Sequence, residues 1–141
     1  MTTPAGRNGS VVPAGDAGLS STFPPSLLRA LERARAHAQD LSLLALQMRG
    51  DYLDALHAEM RFAQEIPRLI AGIMAEHPDW YGLLWCRLLA KIHAYGLEAL
   101  ALEASMTGDA RDAIQRAGAQ AWDVSKALDA VVSELREGGA A

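Results

Sequence analysis

Apolar residues recur along this chain at alternating steps of three and four, in four separate stretches. The first line is Leu27, Leu31, Ala34, Ala38, Leu41, Ala45 and Met48; the second is Leu53, Leu56, Met60, Ala63, Pro67, Ile70 and Met74. The third is Trp85, Leu88, Ile92, Tyr95, Ala99, Leu102 and Met106, and the fourth Ala110, Ile114, Ala117, Ala121, Val124, Leu128, Val131 and Leu135. Such spacing keeps one seam of a helix facing its neighbours and suits helices crossing at about 20°. No stretch alternates with a period of two, so the pattern predicts an all-α, four-helix, mainly antiparallel, coiled-coil-like bundle.

The breaks between the lines carry turn chemistry. Gly50 supplies the freedom to end one helix, and Asp51 can cap and charge the start of the next. His77-Pro78-Asp79 separates the second line from the third, Thr107-Gly108-Asp109 the third from the fourth, and Gly138-Gly139 closes the last. Pro67 conflicts with its own line, because mid-helix it removes a backbone bond and crowds the carbonyl of Ala63. A kink there, or a fresh helix from near Glu65, is expected. With Gly50 a weak breaker, one long bent helix over 26–76 is the alternative. Residues 1–25 are rich in Gly, Pro, Ser, Thr and Ala, and bury too little to offset their ordering entropy. They predict a disordered tail ending at Pro24-Pro25, with Ser26 as N-cap of a single bundle domain over 26–137.

Leu28, Leu44, Leu46, Ile66, Leu69, Ile73, Leu84, Leu89, Trp122 and Val132 fall off these lines. That is more apolar surface than one slim, alanine-rich core needs, and it points to self-association or a client surface. The terminal fourth helix is the expected docking element, through Trp122, Leu128, Val131, Val132 and Leu135. It would either bind the partner or cover a client groove until displaced.

At 141 residues the chain suffices for one core that buries roughly 65–70% of the unfolded surface. A net charge of −4 argues against a nucleic-acid partner, since the basic stretch Arg29, Arg33, Arg35 and Arg49 is diluted by Glu32 and Asp40. The single cysteine, Cys86, excludes an intramolecular disulfide and fits a reducing cytoplasm. The first residues lack the pattern of a signal peptide, and Arg87, Lys91 and Glu98 interrupt the most apolar window. A cytoplasmic protein without an integral membrane segment is the expectation.

Candidate chemistry is sparse. His37 with Asp40, and Asp54 with His57, share helix faces at i, i+3, but no Glu-x-x-His pair of a carboxylate-bridged metal bundle occurs. Surface histidines, with no metal and no other cofactor, are the expectation. Arg87 and His93 match the loose Arg-to-His spacing of the HEPN ribonucleases, in which arginine would steady the phosphate and histidine move a proton. That ribonuclease is the alternative function, although Leu88 stands where a polar residue usually follows the arginine. A third reading is a structural subunit of a helical homo-oligomer. Cys86 beside Trp85 reads as a buried thiol, and neither a phosphate loop nor a nucleophile elbow is present. The chain does not read as an enzyme.

Gly50-Asp51-Tyr52 followed by Leu53, Leu56, Glu59, Arg61, Ile66 and Leu69 resembles the helical hairpin of flagellar export chaperones of the FlgN/FliT type. The resemblance covers residues 27–106, with Trp85 to Met106 comparable to the helix that follows in those families. Both the Pro/Gly-rich tail and Pro67 depart from the family form. The resemblance implies a cytosolic, non-enzymatic chaperone for flagellar or type III secretion substrates. Amphipathic helical segments of the client would fill an apolar groove on the bundle.

Overall fold

The computed structural model describes residues 24–75, 80–103, 106 and 108–137. They form four helices: α1 Pro25–Gln47, α2 Leu53–Ala75, α3 Trp80–Ala101 and α4 Gly108–Glu137. Each helix packs on its neighbours in sequence, and α4 closes the ring against α1. The N-terminal half of α1 shares one core cluster with the C-terminal half of α2, the N-terminal half of α3 and the C-terminal half of α4. The opposite halves share a second cluster. Consecutive helices therefore run antiparallel. No strand occurs among the described residues.

The first break is built as the residues require. Met48 is already extended, and Gly50 follows at φ 135°, a conformation that L side chains rarely adopt. The Tyr52 ring lies directly against Gly50, its Cε1 2.6 Å from where a Cβ would stand, and is itself buried. The Leu53 amide donates to the Gly50 carbonyl, and α2 starts there, so residues 26–76 are two helices and not one. At the same end of the bundle Arg111 donates to the carbonyls of Ala101 and Glu103, satisfying acceptors at the end of α3 that have no partner within the helix.

Three local expectations need correction. α1 begins at Pro25 with Pro24 as its N-cap, so both prolines belong to the helix start and not to a tail. Proline suits the first helical position because its missing N–H has no partner there anyway. Ser26 is not the cap: it is buried, and its Oγ has no hydrogen-bond partner among the described residues. At Pro67 no fresh helix starts. α2 runs through it, and the ring is buried, so its packing on the core offsets the missing backbone bond. The expected disorder of residues 1–23, and the breaks at 77–79, 107 and 138–139, lie outside the described residues.

The predicted seams of α1, α2 and α4 face the core, with only their edge members Ala38, Leu53, Met60, Met74, Ala110 and Leu135 partly exposed. In α3 the opposite face is buried. Leu83, Cys86, Ala90, His93, Leu97 and Leu100 point inward, while Trp85, Leu88, Ile92, Tyr95 and Leu102 point to solvent. Both lines step by three and four. The predicted seam is the bulkier one, and packing selects the one whose small members Cys86 and Ala90 let α3 approach its neighbours.

Candidate functional site: a buried histidine pair and an outward apolar stripe

Midway along the bundle, between the two core clusters, each helix contributes one alanine: Ala34, Ala63, Ala90 and Ala121. These small side chains leave room for two imidazoles, His37 from α1 and His93 from α3, exposed by 4% and 1%. Both histidines sit three residues after the alanine of their helix and four before an inward leucine, Leu41 or Leu97. That spacing puts them on the inner face. The surface location expected for them is overturned; of the three described histidines His57 alone is exposed, and His77 lies outside the described residues.

The two rings meet through their Nε2 atoms at 2.8 Å. His93 Nδ1 lies 2.8 Å from Glu59 Oε1 on α2. His37 Nδ1 lies 3.2 Å from Gln120 Oε1 on α4, and Gln120 Nε2 donates to Asp40 Oδ2 over 3.0 Å. The chain thus crosses the core from α2 through α3 and α1 to α4.

Hydrogen-bond accounting gives it a direction. An ionised carboxylate only accepts, so the Gln120 amide nitrogen faces Asp40 and its oxygen faces His37. His37 Nδ1 must then carry the hydrogen. Burial pushes the His37 pKa down from 6.5 to about 4, with His93 adding to the effect; the Gln120 hydrogen bond and Asp40 oppose it. A neutral His37 with hydrogen on Nδ1 offers a bare Nε2, which accepts from Nε2–H of His93. On its other side His93 is held by Glu59. Each nitrogen of the two imidazoles thus has a partner.

Arg87 does not join His93 at this site. Arg87 lies on the flank of α3 facing α4, 3.8 Å from Asp129, whereas His93 points into the core, so they share no face. Among the described residues no group of three or more His, Cys, Asp and Glu side chains could hold a metal ion. Cys86 is buried one helical turn from Ala90 on the same inner face.

Of the α4 residues expected to dock a partner, Leu128, Val131 and Val132 are fully buried in the core cluster nearest the α1 N-terminus. They reach a client only if α4 is displaced. Leu135 is partly covered. Trp122 is half-buried, donates from Nε1 to Glu98 Oε2 over 2.8 Å, and meets Tyr95 edge-on with ring centroids 4.9 Å apart. It therefore borders the outward face of α3, where the large exposed apolar residues concentrate.

That face carries Tyr81, Trp85 at 53% exposure, Leu88, Ile92, Tyr95 at 61% and Leu102 at 78%. Between it and α4 lies a groove of about 490 Å³, lined by residues that include Leu102, Gly118, Ala119 and Trp122. No helix among the described residues is long and apolar enough to cross a membrane. No protein-family model, characterised protein or solved structure matches the chain.

Proposed function

We propose that this chain is a non-enzymatic, cytoplasmic protein-binding module, an export chaperone for flagellar or type III secretion substrates that receives an amphipathic helix of its client. The observation that carries the reading is the outward stripe of α3. A helix apolar on both faces has one face too many for its own bundle. The exposed residues Trp85, Leu88, Ile92, Tyr95 and Leu102 keep the three-four spacing of a helix-packing seam, over about 26 Å of helix. Trp and Tyr at its centre are the residue types that dominate protein interfaces. The hairpin around Gly50-Asp51-Tyr52 supports the chaperone form of the reading.

Affinity capture from the native cell tests it, comparing the natural chain with a Leu88→Asp, Ile92→Asp variant. A client retained by the first and lost by the second supports the role. Identical capture by both removes the stripe from the mechanism. RNA cleavage that His93→Ala abolishes would replace the chaperone reading altogether.

A further inference from the structure

The outer stripe of α3 is symmetric along its own axis. From Trp85 the steps run three, four, three, four, three to Leu102, the same in either direction. We propose that a second copy of this chain docks on this stripe, α3 against α3 and antiparallel, with the two-fold axis between Ile92 and Tyr95. The proposal rests on reading the stripe as a protein-docking face, and it names the resting occupant: a second copy covers it until a client helix takes its place.

In that register each seam residue meets another seam residue. Trp85 opposes Leu102 of the second copy, Leu88 opposes Ala99, and Ile92 opposes Tyr95. The large residue of each copy thus faces a smaller one, which suits interdigitation. The flanking charges choose between orientations. Lys91 and Glu98 lie on the same edge of the stripe, toward α4, where Lys91 Nζ is 3.9 Å from Asp129 and Glu98 accepts from Trp122. In the antiparallel register Lys91 of each copy flanks the same two layers as Glu98 of the other, giving two opposite-charge pairs related by the two-fold. A parallel, in-register pair would instead set Glu98 beside Glu103 of the second copy, two carboxylates together. Self-complementarity about a two-fold is what closes a dimer and prevents a filament.

Sedimentation of the purified full chain at about 100 µM, where even weak association registers, decides the matter. A dimer is expected, and Leu88→Asp with Ile92→Asp should give a monomer of unchanged helicity, since both residues are about half exposed. Lys91→Glu, which sets a carboxylate against Glu98 of the second copy, should weaken the dimer roughly tenfold, and adding Glu98→Lys should restore it. If the double aspartate variant unfolds, the charge exchange still reads the interface. A mixture of Leu88→Cys and Ala99→Cys chains should cross-link, whereas Leu88→Cys alone should not. A monomeric natural chain, a dimer indifferent to these changes, or Leu88→Cys cross-linking to itself would each overturn the proposal. Client capture that still depends on Leu88 and Ile92 in a monomeric chain would leave the docking face standing with another occupant.

Discussion

His37 and His93, 56 residues apart in sequence, meet Nε2 to Nε2 at 2.8 Å in the dry centre of the bundle. One ring must donate and the other accept, so neither is replaceable alone. Their outer nitrogens are tied to Gln120 and Glu59, which links the pair to all four helices. A buried polar layer of this kind costs burial energy and returns a fixed register, because only one alignment of the helices satisfies it.

Single replacements should therefore be costly and the double one less so. His93→Leu strands Glu59 and the bare nitrogen of His37, with an expected loss of about 2–4 kcal/mol; His37→Leu should lose a similar amount. Combining them removes both unsatisfied nitrogens, and the combined loss should fall short of the sum by at least about 1 kcal/mol. Urea denaturation of the four proteins gives this coupling directly. Additive losses would show that the 2.8 Å contact contributes nothing.

The depressed pKa of His37 makes stability depend on pH. In the unfolded chain His37 protonates as pH falls through about 6.5, whereas in the folded chain it stays neutral down to about 4. Across that window the unfolded state binds more protons, so stability is complete above about 6.5 and declines as pH falls toward 4. The full span corresponds to about 3 kcal/mol. Denaturation midpoints at several pH values, compared with His37→Gln, should show this slope in the natural chain and a shallower one in the variant.

Gly96 lies where Glu59 crosses toward His93. A Cβ at Gly96 would stand 2.6 Å from Glu59 Cδ, closer than side-chain atoms pack. Alanine favours helix by up to about 1 kcal/mol over glycine. Gly96→Ala should nevertheless destabilise, by about 1–3 kcal/mol, because it displaces the carboxylate from its imidazole. In an Glu59→Ala background the same change should be neutral or stabilising, which thermal melts of the four proteins would reveal.

The two apolar sets should respond oppositely to charge. Leu128 and Val132 are buried at the core end of α4, so Leu128→Asp with Val132→Asp should cost more than about 4 kcal/mol and abolish cooperative unfolding. Leu88→Asp with Ile92→Asp should leave the melting transition of the isolated chain intact. Circular dichroism melts on the two variants suffice. A folded, cooperative α4 variant would place that helix outside the core and return docking to Leu128, Val131 and Val132.

Periodicity was enough to read the number of helices, their order and the inward faces of α1, α2 and α4, whereas the break at Gly50 stood beside the alternative of one long bent helix and the prolines misled. These are local properties, set within one or two turns of the chain, and a short loop between amphipathic helices dictates antiparallel neighbours. Two things were decided only by the tertiary structure. α3 carries two complete three-four lines on opposite faces, and periodicity alone ranks neither; the inner one is chosen because its small residues let four helices close around it. The histidines likewise looked like surface residues because, taken one at a time, a buried imidazole is unfavourable. Burial becomes acceptable only when His37, His93, Glu59 and Gln120 arrive together from four helices, and no local stretch of sequence records that meeting.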